Sequence, residues 1–358
     1  MSLHFTKVTV AEVRKETHDC VSVLLNIPAT LQKDFQFQQG QYLTVRAIIN
    51  GQEIRRSYSL CSSPLDNEWR IAIKAVKGGI FSTYANTQLK AGDSLEIMQP
   101  LGRFFTPIDA AAKKNYVCFA AGSGITPVLS ILTTVLRAEP ESTCTLIYGN
   151  RNSQSIIFKE QLEALKNRYL QRFQLIHILS RERTETPLQH GRIDTEKLAA
   201  LGKLVDWHSA DTFFICGPQA MTQNIRSFLV EQHIDTAAIH TELFTSSSGE
   251  KANVKSQNTA ATDKTPQCQL TIKTDGRSFE LSLPMNSSIL EAALQEGLDL
   301  PYACKGGVCC TCKAKLLEGK VQMDVHYGLE EDEIAQGFIL TCQSHPLTEK
   351  VVVDYDVK

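Results

Sequence analysis

The first hundred residues contain short apolar runs separated by polar and turn-forming residues. The runs are rich in β-branched and aromatic side chains, and Gly, Pro, Asn and Asp interrupt them. Such spacing is typical of strands in an antiparallel sandwich or barrel. The pattern therefore predicts strands at residues 5–13, 21–25, 42–47, 69–76 and 95–98.

From residue 115 onward the pattern changes to an alternation of buried strands and amphipathic helices. This alternation predicts a doubly wound parallel sheet with helices on both faces. The strands are expected at residues 116–121, 145–148, 173–179 and 212–216, and the helices at 127–136, 159–169, 195–201 and 221–231.

The last third of the chain begins with a polar stretch that lacks large apolar side chains. Residues 245–266 are rich in Ser, Thr, Asn and Lys, which predicts a flexible linker. Two strands follow at residues 270–274 and 279–283 with a turn at Asp275-Gly276, then a helix at 289–295 capped by Ser287 or Ser288. The resulting domains are expected at residues 1–110, 111–244 and 267–358, the last a small α+β domain.

Charge and hydropathy exclude several classes of partner. The net charge of -2 gives no general attraction to nucleic acid or to an anionic membrane. No run of eighteen apolar residues occurs, and the N-terminus lacks the apolar segment of a signal peptide, so a cytoplasmic protein is expected. The charge is uneven, because residues 267–358 hold 8 Lys and Arg against 14 Asp and Glu. The acidic positions 330–333 are candidate docking contacts or simply a solvated face.

Four cysteines carry the strongest chemical signal in the chain. Cys304, Cys309, Cys312 and Cys342 follow the spacing C-x4-C-x2-C-x29-C, which is the ligand pattern of a plant-type [2Fe-2S] cluster. Gly306 and Gly307 would let backbone N–H groups approach the sulfurs. A structural zinc site is the alternative, but it usually needs two separated C-x2-C pairs. Cys310 is expected to be a passive thiol. Ordinary small apolar residues are expected at Cys20, Cys61, Cys118, Cys144 and Cys268.

A glycine turn after the first strand of the α/β region suggests a dinucleotide site. Gly122 and Gly124 would let the backbone close on a pyrophosphate at a helix N-terminus, with Thr126 as N-cap and Pro127 as first helical residue. The segment Cys216-Gly217-Pro218 ends a later strand, where open α/β sheets bind ligands. Each motif alone is more typical of a tight strand-to-helix turn, whereas together they favour a nicotinamide site.

Further motifs resemble the ferredoxin reductase family along essentially the whole chain. Arg56-Ser57-Tyr58-Ser59 resembles its R-x-Y-S flavin motif, and Gly78-Gly79-Ile80-Phe81-Ser82 its second flavin segment. The turn at residues 122–127 and the Cys-Gly-Pro segment resemble its nicotinamide motifs. The resemblance implies an antiparallel Greek-key β-barrel for FAD, a doubly wound α/β domain for NAD(P) and a β-grasp ferredoxin domain. FMN remains an alternative flavin, because members with this motif include FMN enzymes.

The resemblance also implies roles for individual residues. Arg56 would hold a flavin phosphate, Tyr58 would pack on the isoalloxazine, and Ser59 would bind near the flavin N5. Cys216 would lie beside the nicotinamide C4, with a buried structural thiol as the alternative. Glu242, in the segment His-Thr-Glu-Leu-Phe, would contribute to closing the flavin site.

The choice between NADPH and NADH depends on three residues. Ser180 and Arg181 follow a strand where the adenosine ribose would lie, and a Ser-Arg pair suits a 2'-phosphate. Glu182 follows directly, and an acidic residue there is more typical of NADH. We expect NADPH to be preferred.

The combined expectation is an oxidoreductase that takes hydride from NADPH and releases single electrons through FAD and a [2Fe-2S] cluster. No E-x-x-H occurs, so the chain does not encode the di-iron site of a bundle oxygenase. The resemblance implies transient partners, the oxygenase subunits of a multicomponent di-iron monooxygenase. The alternatives are a reductase for another oxygenase or hydroxylase, and a redox-sensing regulatory protein without turnover.

Overall fold

The computed structural model describes residues 4–184, 186–244 and 266–357. The chain divides into two compact units. The first is built from residues 1–54 and 58–246, and the second from residues 247–358 together with residues 55–57. The predicted linker, residues 245–266, lies outside the described residues except for Pro266. Among the described residues, no helix has the length and apolar character needed to cross a membrane.

The first unit begins with a closed antiparallel sheet. In β1, Val8 and Val10 point inward and alternate with exposed Lys7 and Thr9, which is the pattern of a half-buried strand. The elements are β1 Thr6–Thr17, β2 Cys20–Asn26, β3 Tyr42–Ile49, β4 Gln52–Ser59, β5 Trp69–Lys74, α1 Ile80–Thr87 and β6 Ser94–Ile97. Their order in the sheet is β4-β3-β6-β1-β2-β5. Leu60 pairs with Ile71 just beyond β4, which joins the two ends into a barrel.

A five-stranded parallel sheet with flanking helices follows in the same unit. Its elements are β7 Asn115–Ala121, α2 Ile125–Ala138, β8 Thr143–Asn150, α3 Lys159–Arg168, β9 Phe173–Leu179, α4 Thr195–Leu201, β10 Thr212–Gly217, α5 Gln219–Glu231 and β11 Ile239–Leu243. The strand order is β11-β10-β7-β8-β9. The order reverses between β7 and β10, and ligands of such sheets bind at the carboxyl ends of the strands at that point.

The second unit is a β-grasp domain. Its elements are β12 Gln267–Thr274, β13 Arg277–Pro284, α6 Ile289–Gln295, β14 Lys313–Glu318, β15 Val321–Met323, α7 Glu331–Ala335, β16 Phe338–Leu340, β17 Ser344–Pro346 and β18 Lys350–Asp354. The main sheet has the order β13-β12-β18-β14-β16, with β12 and β18 parallel. Ile289, Leu290 and Ala293 of α6 belong to the apolar core of this unit. Ser288, not Ser287, caps α6, because its side chain accepts a hydrogen bond from the Glu291 N–H.

The three fold classes agree with the predictions, while one predicted helix start is wrong. The expected N-cap at Thr126 is incorrect, since residues 122–124 form a 3-10 turn that continues directly into α2 at Ile125. The N-cap is Gly124, and the Thr126 hydroxyl donates instead to the Ser123 carbonyl at 3.0 Å. The pattern also missed β4 and β11, because both carry mainly polar residues.

Candidate functional site

The two predicted flavin motifs lie next to each other in the barrel. β4 carries Arg56, Ser57, Tyr58 and Ser59 at its end. The ring of Tyr58 lies 5.5 Å from the ring of Phe81, which belongs to the first turn of α1. Tyr58 is half-buried and packs against the core of the barrel. An aromatic platform of this kind fits the flat, apolar ring system of a flavin.

The start of α1 offers backbone donors to a phosphate. Gly79 is the N-cap and provides no side-chain hydrogen bond to the first turn. Ser82 turns inward, where its hydroxyl donates to the Gly79 carbonyl at 3.3 Å and accepts from the Val76 N–H at 3.1 Å. A Cβ at Gly79 would lie 3.1 Å from the Val76 carbonyl oxygen, which is tighter than most contacts. The N-terminus of α1 therefore fits an anion such as a flavin phosphate.

The nucleotide motifs meet at the switch point of the parallel sheet. Gly122 has φ of +53°, a conformation that favours glycine. Gly124 packs so tightly against β10 that a Cβ would collide with the carbonyl oxygen of Cys216. Thr126 and Pro127 are buried in the first turn of α2, and Pro218 caps α5. The two segments thus pack against each other at the carboxyl ends of β7 and β10.

Lys74 was not predicted from the sequence, yet it lies beside the glycine turn. Its Nζ is 3.6 Å from the position that a Cβ of Gly122 would occupy, and 3.8 Å from Asp19 Oδ2. Tyr148 supports the same turn by donating from its hydroxyl to the Gly122 carbonyl at 2.9 Å. A cation at this position is suited to a pyrophosphate. A lysine in a strand carries no signal in the sequence, because only the tertiary fold brings it to the turn.

The predicted ribose-binding residues lie at the carboxyl end of β9. The Ser180 N–H donates to the Asn150 carbonyl at 2.9 Å, and the Arg181 N–H donates to the Arg151 carbonyl at 2.8 Å. These two bonds bring Arg151 and Arg181 side by side at the edge of the sheet. Both arginines are exposed, and neither has an acidic partner among the residues that the structure describes.

Glu182, the residue that favoured NADH, is engaged elsewhere. Its carboxylate accepts hydrogen bonds from the Ser153 N–H at 2.6 Å and the Ser153 hydroxyl at 2.9 Å. These donors hold the pKa of Glu182 below its ordinary value. The carboxylate is therefore ionised near neutral pH and fixed to the loop after β8.

The three predicted catalytic residues come together between the barrel and the parallel sheet of the first unit. Cys216 and Glu242 are register partners on β10 and β11, and the Ser59 hydroxyl donates to Glu242 Oε2 at 3.4 Å. Burial raises the pKa of Glu242 to about 8, although the bond from Ser59 opposes this shift. Burial, and secondarily the charge of Glu242, raises the pKa of the Cys216 thiol. Near neutral pH the group thus contains a neutral thiol and a protonated carboxyl.

The four cysteines of the second unit approach one another as two pairs. The Cys309 thiol lies 3.1 Å from the sulfur of Cys304, and the thiols of Cys312 and Cys342 interact directly. Within residues 4–184, 186–244 and 266–357, no three His, Cys, Asp or Glu side chains surround a single metal-ion position. Two pairs of thiols fit a cluster in which each iron takes two cysteine ligands.

Backbone donors surround these sulfurs, as the loop glycines led us to expect. The Gly306 N–H donates to Cys304 Sγ at 3.3 Å, and the Gly307 N–H faces the Cys342 thiol. Gly307 has φ of +70°, and a Cβ there would lie 2.9 Å from the Val325 carbonyl oxygen. Cys310, between the ligands in sequence, is partly exposed. Donors of this kind stabilise the negative charge of thiolate-bound iron.

One proposed docking residue is excluded by its position. Glu333 is buried and pairs with Lys313 at 2.9 Å, and it also accepts a hydrogen bond from the Glu330 N–H. It therefore stabilises α7 and cannot meet a partner. Glu330, Glu331 and Asp332 are exposed at the start of the same helix.

Comparison with known families assigns a domain to each of these sites. The family described as an oxidoreductase FAD-binding domain matches residues 7–106. The oxidoreductase NAD-binding domain matches residues 119–227, and the 2Fe-2S iron-sulfur cluster binding domain matches residues 272–347. The chain thus contains FAD-, NAD- and [2Fe-2S]-binding domains in that order.

Individual relatives match the chain from end to end. The E subunit of 1,2-phenylacetyl-CoA epoxidase from Escherichia coli (strain K12) is 46% identical over 99% of this chain and 98% of its own length. The ferredoxin reductase component of 3-ketosteroid-9-alpha-monooxygenase from Rhodococcus rhodochrous is 31% identical over 97% and 96%. The solved structure of phthalate dioxygenase reductase has a TM-score of 0.60 and 25% identity, covering 98% of both chains.

Proposed function

Because this chain belongs to the ferredoxin reductase family with a C-terminal [2Fe-2S] domain, we propose that it supplies electrons from NADPH to an oxygenase. The partner is the set of oxygenase subunits of a multicomponent di-iron monooxygenase, which it binds transiently. The preferred partner is phenylacetyl-CoA epoxidase. The observation that carries this choice is the 46% identity over 99% of the chain to the E subunit of that enzyme.

The residues of the flavin and nucleotide motifs have separate roles in binding the cofactors and in holding a proton. FAD, when bound, accepts two electrons as a hydride and releases them one at a time to the [2Fe-2S] cluster. Arg56 binds the flavin phosphate, and Tyr58 packs on the ring. Ser59 and Glu242 hold a proton beside the flavin, because the pKa of about 8 keeps the Glu242 carboxyl protonated at neutral pH. Cys216 lies at the proposed nicotinamide position as a buried, neutral thiol.

The nucleotide specificity follows from charge at the end of β9. A 2'-phosphate needs positive charge and hydroxyl donors, and the exposed Arg151 and Arg181 supply the charge. In this structure the Ser180 hydroxyl donates to the Asn150 carbonyl at 3.3 Å, and we propose that it turns to the phosphate when NADPH binds. Glu182, which could have accepted bonds from the ribose hydroxyls of NADH, is bound to Ser153. The preferred substrate is therefore NADPH. A kcat/KM for NADH above that for NADPH would overturn this assignment.

The cytoplasm is the proposed compartment. None of the eleven cysteines forms a disulfide bond in the part of the chain that the structure describes, and five of them are buried in the first unit. Free thiols in this number suit a reducing environment. A thiolate-ligated cluster also needs its cysteines unpaired.

Reconstitution tests the function directly. The purified protein is mixed anaerobically with NADPH while flavin and cluster absorbance are followed, and then combined with oxygenase subunits, phenylacetyl-CoA and air. We expect rapid bleaching of both chromophores and then epoxidation. Bleaching without epoxidation would support a reductase for a different oxygenase. Absence of bleaching would favour a regulatory protein that senses redox state.

A further inference from the structure

The buried hydroxyl groups of Tyr355 and Thr341 form a hydrogen-bonded chain that ends at the backbone carbonyl of Cys312, in the iron-sulfur loop. Tyr355, just after β18, places its phenol oxygen 2.7 Å from Thr341 Oγ1. Thr341 precedes Cys342, and its Oγ1 donates to the carbonyl oxygen of Cys312 at 3.0 Å. Thr341 is fully buried and Tyr355 is only 4% exposed.

The direction of these hydrogen bonds follows from proton counting. A threonine hydroxyl has one proton, and Thr341 gives it to the Cys312 carbonyl, which has no proton to give in return. The Tyr355 hydroxyl must therefore be the donor to Thr341. Burial also raises the pKa of Tyr355, so the phenol keeps its proton. The Tyr355 O–H therefore points at Thr341 Oγ1, and the Thr341 O–H points at the backbone carbonyl oxygen of Cys312.

The same residues tie together one pair of thiols through the backbone. The Thr341 N–H also donates to the Cys312 carbonyl at 3.2 Å, so this carbonyl accepts two bonds from the residue that precedes Cys342. The Thr341 carbonyl in turn accepts a bond from the Leu290 N–H at 3.0 Å. Cys312 and Cys342 are thus held together by Thr341 independently of any metal.

We propose that Tyr355 is a positioning residue for the iron held by Cys312 and Cys342, acting through the Thr341 hydroxyl. It fixes the rotamer of Thr341, whose hydroxyl holds the Cys312 carbonyl. The inference rests on the proposed ligand role of the four cysteines. It adds a residue that lies 13 positions beyond the last cysteine and has no sequence motif of its own.

Two consequences follow for the loaded protein. The reduced cluster carries one more negative charge, so its potential depends on how its ligands are held and on the hydrogen bonds around them. Loss of the phenol hydroxyl should therefore shift the reduction potential. It should also leave the buried Thr341 oxygen without its donor, which loosens the ligand pair and speeds iron loss by about three- to tenfold.

The test uses the full-length protein with its cluster and flavin. Tyr355→Phe removes only the hydroxyl, Thr341→Val removes the next link, and Thr341→Ser retains it. The measurements are the midpoint potential, the EPR spectrum of the reduced cluster and the rate of iron release to a chelator. We expect Tyr355→Phe and Thr341→Val to shift the midpoint potential with the same sign, to change the EPR spectrum and to speed iron release. Thr341→Ser should give values close to those of the natural chain. The double variant should resemble Thr341→Val alone, because both changes break one chain.

A matched control distinguishes a change in the positioning of the cysteine ligands from a general loss of stability. Thr348 accepts a bond from the Lys320 N–H at 3.0 Å and donates to the Lys350 carbonyl at 2.9 Å, without touching a cysteine. Thr348→Val should lower stability without changing the potential or the EPR spectrum. A natural potential and spectrum in Tyr355→Phe would overturn the inference. A natural chain without any [2Fe-2S] cluster would instead overturn the proposed function.

Discussion

The hydroxyl of Ser59 donates a hydrogen bond to the carboxyl of Glu242, although 183 positions separate the two residues in the sequence. The bond joins the last residue of β4 to β11, and so connects the barrel with the parallel sheet. Cys216 lies beside Glu242 in the register of β10 and β11. The residues that would handle the proton and the nicotinamide therefore depend on contacts between distant segments.

The buried carboxyl of Glu242 should make stability depend on pH. Its pKa is about 8 in the folded chain against an ordinary value of 4.5, so the folded state binds more protons between these values. The free energy of unfolding is therefore highest, as far as Glu242 decides it, below pH 4.5, where the carboxyl is neutral in both states. It falls as the pH rises from 4.5 toward 8, because the unfolded chain ionises first. Glu242→Gln should therefore gain stability relative to the natural chain between about pH 5 and pH 8, by up to about 4 kcal/mol.

Urea denaturation of the two proteins at pH 5, 6.5 and 8, followed by flavin fluorescence, measures this difference. Glu231→Gln is the control, because Glu231 lies exposed at the end of α5. The same pH-dependent gain in both variants would contradict a special role for Glu242.

Removal of the Ser59 hydroxyl should slow flavin reduction. Ser59→Ala deprives the Glu242 carboxyl of its hydrogen-bond donor, and loss of a positioned proton-transfer group typically costs about 100-fold in rate. Ser59→Thr keeps a hydroxyl and should recover much of the rate. Stopped-flow measurement of flavin absorbance after mixing with NADPH gives both values. An Ala variant as fast as the natural chain would exclude Ser59 from the reaction.

Substitution of Arg181 should change the choice of nucleotide. Arg181→Ala removes a charge-assisted contact to the 2'-phosphate, so kcat/KM for NADPH should fall about 10- to 100-fold while that for NADH stays constant. Arg168→Ala is the control, since it removes an exposed positive charge at the C-terminal end of α3. Equal decreases in kcat/KM for NADPH and NADH would show that Arg181 does not contact the 2'-phosphate.

Substitution of any of the four predicted cluster ligands should have a different effect on the cluster from substitution of Cys310. Ser in place of Cys304, Cys309, Cys312 or Cys342 should abolish the visible absorption and EPR signal of the cluster, while flavin reduction by NADPH continues. Cys310→Ser should keep the cluster, because Cys310 stands outside the C-x4-C-x2-C-x29-C spacing and is partly exposed. Loss of the cluster in Cys310→Ser would show that the ligand assignment is wrong.

A methyl group at Gly124 should disturb the packing of the glycine turn against β10, at the proposed nicotinamide site. Gly124→Ala would place a Cβ against the Cys216 carbonyl oxygen, which is backbone and cannot move aside without shifting β10. We expect a loss of about 1–3 kcal/mol in stability and a KM for NADPH raised about tenfold. Gly51→Ala is a useful comparison, because a Cβ there meets open space and only its φ of +76° is unfavourable. Similar KM values for both variants would contradict the tight approach.

The three fold classes could be read from the sequence because each depends on local periodicity. Apolar residues on alternate positions, as at Val8 and Val10, predict a half-buried strand wherever it lies. Strands such as β4 and β11 were missed because their side chains are mainly polar, and they are held as strands by their neighbours in the sheet. The start of α2 was misplaced because the 3-10 turn before it depends on packing of Gly124 against β10.

The sequence by itself determined the chemistry of the iron-sulfur loop, since four thiols at fixed spacing suffice to predict a cluster. Tertiary structure alone decided which groups surround each site. Lys74 reaches Gly122, Glu182 turns to Ser153, Glu333 is buried with Lys313, and Tyr355 reaches Thr341. Each of these contacts joins residues from different elements or loops of the fold. Local pattern cannot specify them, because hydrogen bonds and burial depend on distances that only the packed chain sets.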